Sequence, residues 1–268
     1  MNLVKRVSVA LIGIPIILWV FWSDGLPLLI FGGLLSALMS WELFRMFKRN
    51  GNLPNILSIP FSIMVYFAVS LYGWQALPVI LLPFMVVIFT NRLLRNKIDR
   101  SICSISFTLF IFIYAGILPS TIYQITNFNN GNWLLILILV LTWITDSFAY
   151  FIGMTLGKHR GIFPVSPKKS LEGFIAGAVF SLIAVLVIRL INRDLFTLTQ
   201  LIAAALTTGF IGQLGDLMES LIKRDMKVKD SSNLIPGHGG ILDRFDSFLI
   251  SVAFLYVILF VLSIVEYR

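Results

Sequence analysis

Residues 246–265 read DSFLISVAFLYVILFVLSIV, an apolar run whose one charged side chain is the aspartate at its start. At 1.5 Å of rise per residue, a helix of roughly 20 residues covers about 30 Å, the hydrocarbon thickness of a bilayer. In lipid a segment must satisfy its own backbone N–H and C=O groups, and the period-2 alternation of a barrel strand is absent, so this run reads as a transmembrane helix. Eight further stretches of the same kind precede it, at about 7–22, 25–44, 56–72, 76–90, 102–123, 133–152, 173–191 and 199–222. The expectation is an all-α, polytopic integral membrane protein of about nine transmembrane helices.

Composition agrees. Of 268 residues, 58% are hydrophobic and 13% charged, against about 25% charged in soluble domains; the mean hydropathy is +0.92. A water-soluble globule, a disordered chain and a collagen-like repeat are all excluded. The opening MNLVKRVSVALIGIPIILWVFW (1–22) has the basic start and apolar core of a signal peptide but no convincing small-x-small cleavage site, so it is expected to stay as the first span. The single cysteine, Cys103, lies in an apolar run and allows no intramolecular disulfide.

Charge orients the bundle. With nine spans and a cytoplasmic N-terminus, all of the 21 basic residues except Arg189, Arg193 and Arg268 fall on the cytoplasmic side, as the positive-inside rule requires. Merging the third and fourth spans would invert that bias over the second half. The net charge of +8 is therefore explained by topology, and no nucleic-acid partner is expected. Residues 1–130 form an expected region of about five spans; residues 131–268 form a catalytic region of about four, with the two long polar segments at 153–172 and 223–245. Loops of that length usually carry function.

The second of these loops and its flanks hold costly groups. In QLGDLMESLIKR (213–224), Asp216 and Glu219 lie three apart, on one helical face, inside an apolar span. A carboxylate at membrane depth is expensive unless it is paired, protonated or lining water, and marks function by default. Asp243 and Asp246 repeat the spacing at the start of the ninth span, where helix N-terminal capping is the competing role. Oxygen ligands with neither cysteine nor paired histidine suit a hard cation such as Mg²⁺, which is usually shared with substrate phosphates. His238, flanked by glycines, suits either phosphate binding or loop shaping.

The first loop, GKHRGIFPVSPKKSLEG (157–173), is basic and hydroxyl-rich. Ser166, Lys168, Lys169 and Ser170 precede the seventh helix, whose free N–H groups favour an anion, and make a candidate triphosphate cradle. Lys158 and Arg160 fit plain anchoring beside anionic headgroups. Residues 153–158 lack the glycine spacing and the hydroxyl after lysine of a P-loop. Asp146, in TDSFAY (145–150), is expected to face a buried site, and Glu42 beside Arg45 to form an interfacial ion pair.

The stretch SLIKR (220–224), then Lys229 and Asp230, then LIPGHGGILDRFD (234–246) resembles the signature of the phosphatidate cytidylyltransferase family throughout its length. Asp146 to Tyr150, and SPKKS (166–170) with Glu172 and Gly173, resemble two other landmarks of that family; Ser170 and Leu171 stand where threonine and tryptophan are more usual. Residues 1–130 show only hydropathy. The resemblance implies transfer of CMP from CTP to phosphatidic acid, giving CDP-diacylglycerol and pyrophosphate, with Mg²⁺ and a second, monovalent cation (K⁺), in a cavity open to the cytoplasm and the lipid.

On that footing Asp216, Asp243 and Asp246 hold the metal with Glu219 nearby. Lys223, Arg224 and Lys229 offset charge on CTP or the lipid phosphate, and Ser220 and Arg244 belong to the same motif. Asp146 and Glu172 orient a lysine or the second cation. The expected location is the bacterial inner membrane with the site facing the cytoplasm; a homodimer is left open. A transporter would spread polar residues across the membrane depth within repeats, and neither is seen. The paired-aspartate pattern of CDP-alcohol phosphotransferases is also missing.

Overall fold

The structure, a computed structural model, describes residues 2–94, 98–235, 237 and 239–266, without the side chains of 2–6, 8, 10 and 266. His238 therefore lies outside the described residues. Helix covers every apolar stretch of the sequence: α1 (Asn2–Ser23), α2 (Gly25–Arg49), α3 (Ser58–Tyr72), α4 (Leu77–Leu94), α5 (Ser101–Ile111), α6 (Leu118–Gln124), α7 (Gly131–Thr155), α8 (Leu171–Ile191), α9 (Leu198–Leu206), α10 (Gln213–Asp225) and α11 (Leu242–Glu266). Two of the stretches are single helical rods interrupted by a wider π turn, Phe112–Ile117 between α5 and α6 and Thr207–Gly212 between α9 and α10.

Among the described residues seven helical segments are long and apolar enough to cross a membrane, namely Gly25–Arg49, Trp74–Leu94, Ser101–Asn127, Gly131–Thr155, Leu171–Ile191, Leu198–Asp225 and Leu242–Val265. Leu11–Ser23 and Ser58–Tyr72 are apolar but shorter.

The chain forms two compact units: Met1–Gln124 with Asp225–Arg244, and Ile125–Arg224 with Phe245–Arg268. In the first, Val65, Val69, Phe84, Ile88, Ile105 and Phe112 make the core, with the Phe84 and Phe112 rings stacked at 4.7 Å. Lipid is as apolar as these side chains, so close fit rather than expulsion of water holds the helices together. Small residues allow that fit: a methyl group on Gly33 would lie 2.7 Å from the Phe67 ring, and one on Gly116 2.9 Å from the Ser62 backbone.

In the second unit α7 runs along α8, joined by the stacked rings of Phe148 and Phe180 at 3.6 Å. Gly173 lets the α8 backbone approach Ala149 so closely that a β-carbon would stand 2.5 Å from its carbonyl oxygen. The buried π turn is stitched down by Thr208, whose hydroxyl donates to the Ala204 carbonyl at 2.7 Å and meets the Ser181 hydroxyl at 2.9 Å. Gly215 then gives α10 its approach to α11, its missing β-carbon position lying 3.0 Å from Ile250 and 3.1 Å from the Asp246 carbonyl oxygen. That contact is what brings the acids of α10 level with Asp246.

Candidate active site

Within the second unit one carboxylate oxygen from each of Asp216, Glu219 and Asp246 lies within 4.8 Å of the others. Asp216 and Glu219 share a face of α10, and Asp246 stands on the first turns of α11, which are buried on all sides from Phe245 to Ala253. Glu219 is 0% exposed and Asp246 9%, whereas the Asp216 side chain is 32% exposed, so the group has one open edge. Asp216, Asp146 and Lys223 all lie within electrostatic reach of the Asp246 carboxylate. Asp146 itself is on an exposed position of α7 rather than the buried one its sequence context suggests.

Two ammonium groups enter the same group of acids. Lys169 pairs with Asp216, and Lys223 pairs with Glu219 one turn along α10. Three carboxylates facing two lysines leave a net charge near minus one, which suits a small hard cation and, beyond it, phosphate oxygens. The donor set is all oxygen, so the residues present fit Mg²⁺.

The first loop is shaped by its own contacts. Arg160 donates to the Gly153 carbonyl at 2.9 Å and the Gly157 carbonyl at 3.2 Å, covering the end of α7. Ser170 is the N-cap of α8, its buried hydroxyl accepting from the Gly173 amide at 3.1 Å. Glu172, in the first turn of α8, accepts from the His159 backbone at 3.1 Å and meets its ring Nδ1 at 2.5 Å. Its side-chain partner is this histidine, which is held beside the helix start by the Leu171 amide donating to the His159 carbonyl at 3.0 Å. Between these anchors Ser166 and Lys169 close a turn, the Lys169 amide donating to the Ser166 carbonyl at 3.0 Å, which aims Lys169 at Asp216. Lys168 and Arg224 are exposed and Ser220 half-buried; the Arg224 side chain donates to the Val165 carbonyl at 3.5 Å.

Asp243 is not in the three-acid group. It belongs to the first unit, where its Oδ2 accepts from the Ser231 amide and hydroxyl, both at 2.9 Å, and from the Gly240 amide at 2.7 Å. Lys229 and Arg244, in the same segment, are exposed. Glu42 is the residue that sequence reasoning missed. It is fully buried, and its two oxygens accept from Ser232 (2.6 Å) and the Ile241 amide (2.9 Å), and from Ser231 (3.1 Å) and the Leu242 amide (2.8 Å). Arg45, its expected partner, lies over the Trp41 ring at 4.5 Å. The available signal was an acid about 10 Å, or seven residues, inside the basic end of α2, deeper than an interfacial pair needs.

Buried acids answered by lysines, on helices apolar enough for lipid, are the make-up of a membrane enzyme that handles phosphates. Comparison with known proteins agrees. The family model described as the cytidylyltransferase family matches residues 4–262. The chain is 31% identical over 267 residues, 97% of its length and 98% of the other's, to a protein of Bacillus subtilis (strain 168) named phosphatidate cytidylyltransferase. It is 34% identical over 260 residues, 95% and 98% of the two lengths, to a protein of that name from Staphylococcus saprophyticus, and 33% identical with the same coverage to one from Staphylococcus aureus (strain COL). The chain belongs to the cytidylyltransferase family, and is a membrane nucleotidyltransferase.

Proposed function

We propose that the enzyme joins CTP to phosphatidic acid, giving CDP-diacylglycerol and pyrophosphate, in phospholipid biosynthesis. The observation that carries this reading is the group of Asp216, Glu219 and Asp246 answered by Lys169 and Lys223, in a chain whose relatives are named for that reaction. A phosphate of phosphatidic acid is already an ionised nucleophile, so the protein needs no strong base. One of its oxygens attacks the α-phosphorus of CTP in line, the bond to the β-phosphate breaks, and pyrophosphate leaves with its electron pair.

Asp216 and Asp246, with Glu219 beside them, would hold Mg²⁺, which supplies neutralisation of phosphate charge as it builds up on the leaving group; the number of acids, with Asp146 in reach, leaves room for a monovalent cation as well. Lys169 and Lys223 add positive charge at the same place, and Ser166, Lys168 and Arg224 extend it along the polyphosphate. Lys229 and Arg244 are assigned to substrate phosphate on the sequence motif, and His238 to the same task. Asp243 acts chiefly by fixing the segment that carries them, given its three hydrogen bonds to Ser231 and Gly240.

Purified protein in mixed micelles with phosphatidic acid, CTP and Mg²⁺ is expected to release pyrophosphate in step with lipid-linked CMP, and to stop when any one component is withheld or EDTA is added. Pyrophosphate release that continues without the lipid would sink the reading.

We further propose nine spans with the N-terminus and both long loops in the cytoplasm, in a bacterial inner membrane. In a Cys103→Ser background, a cysteine replacing Asn192 is expected to react with a membrane-impermeant maleimide in intact spheroplasts, and one replacing Ile162 only after lysis. The reverse pattern overturns the orientation.

A further inference from the structure

Within the first unit, α2 and the residues just after it hold the described part of the segment 225–244 at several points. At one end, the Asn50 amide donates to the Asp225 carbonyl at 3.3 Å, and Asn50 and Asn52 approach the buried Met226 sulfur at 3.7 and 3.5 Å. At the other, Glu42 gathers two serine hydroxyls and the two amides that open α11. We propose that Glu42 is a positioning residue of the reaction, acting through the Ser231–Asp243 pair on the segment that presents Lys229, Asp243 and Arg244; the assignment rests on the function proposed above.

Three features carry it. First, each Glu42 oxygen accepts from one backbone N–H and faces one serine hydroxyl, so the buried charge is met at both oxygens and leans on the positive end of α11. Second, Ser231 Oγ lies within hydrogen-bonding distance of both Glu42 Oε2 and Asp243 Oδ2, at 3.1 and 2.9 Å, so its single proton is shared between the two carboxylates in a three-centre bond that links α2, the segment and the first turn of α11. Third, the glycines of the segment are cut to this unit. A β-carbon on Gly240 would collide with the Ser231 hydroxyl and stand 2.7 Å from Glu42 Oε2, and one on Gly239, at φ +83°, would stand 2.6 Å from Asp243 Oδ2.

An amide cannot replace this acid. Whichever way glutamine turns, its NH₂ faces the N–H of Ile241 or of Leu242, donor against donor. Glu42→Gln is therefore expected to lower kcat about 30- to 100-fold, the scale of lost outer-shell support, with KM for CTP moving less than threefold. Hydrogen exchange at Ile241 and Leu242 should speed up in the same sample. Ser231→Ala, which keeps the charge and cuts the bridge to Asp243, is expected to follow in kcat to a lesser degree and serves if Glu42→Gln does not fold. Arg45→Ala, one turn along α2 and stacked on Trp41, is the control and keeps wild-type turnover.

Faster exchange with unchanged kcat would reduce Glu42 to a structural anchor and overturn the proposal, as would unchanged exchange with unchanged kcat. Loss of kcat in the Arg45→Ala control to the same extent would also overturn it. Failure of the wild-type protein to transfer CMP to phosphatidic acid would count against the proposed function instead, and the exchange at Ile241 and Leu242 would still report on the hydrogen bonds.

Discussion

Asp246→Asn lowers cytidylyl transfer by about a thousandfold or more, roughly 4 kcal/mol of transition-state stabilisation, while the protein still inserts and elutes as the wild type does. Asparagine keeps the shape and one carbonyl oxygen, so the close approach of α10 and α11 at Gly215 survives, together with the hydrogen bond from the Ser247 amide, 2.7 Å from Asp246 Oδ1. What goes is one of three negative charges gathered within 4.8 Å. On the proposed assignment of Asp246 to Mg²⁺, the hold on the ion weakens and extra Mg²⁺ is expected to restore part of the rate. Turnover within tenfold of wild type at ordinary Mg²⁺ would remove Asp246 from the metal site.

The second large effect is on stability. The Glu219 carboxylate is 0% exposed and the Lys223 side chain 12%, so their ion pair is a buried one. Lys223→Met strips the counter-charge from a carboxylate that water cannot reach, a change that costs about 3–5 kcal/mol when only one partner is removed. At roughly 2–4 °C per kcal/mol for chains of this size, the unfolding midpoint in detergent falls by about 10 °C. The double variant Glu219→Gln with Lys223→Met is expected to recover more than half of that loss, since a neutral amide needs no ammonium, and, on the role proposed for Lys223 beside the phosphates, to stay inactive. A single variant as stable as wild type would mean that Glu219 is held by other groups.

Hydropathy made the helices legible, because lipid leaves the backbone of a long apolar run no alternative. The two interruptions of the rods were not: a π turn at Phe112–Ile117 or Thr207–Gly212 changes neither length nor apolarity, only the direction in which later side chains point. The acids of α10 and α11 stood out because carboxylates at membrane depth are rare, and the i, i+3 spacing of Asp216 and Glu219 already placed those two on one face of α10. Spacing could not tell that Asp246 joins Asp216 and Glu219 while Asp243, one turn earlier, is taken up by Ser231 and Gly240. That division depends on what packs against each side of α11. Ser170 illustrates a similar limit: a hydroxyl before a helix suits a phosphate and an N-cap equally, and the structure uses it as the cap.

The distance along the chain between Glu42 and its donors has a consequence for biogenesis. Ser231 and Leu242 follow it by 189 and 200 residues, which at about 5–20 residues per second of ribosomal elongation is a delay of roughly 10–40 s. Throughout that interval α2 has been translated with a carboxylate whose hydrogen-bonding groups do not yet exist, so its charge is met only once residues 231–242 have been made. A chain cut short before Ser231 therefore carries, in α2, a carboxylate that lacks all four of the donors that meet it in the full sequence.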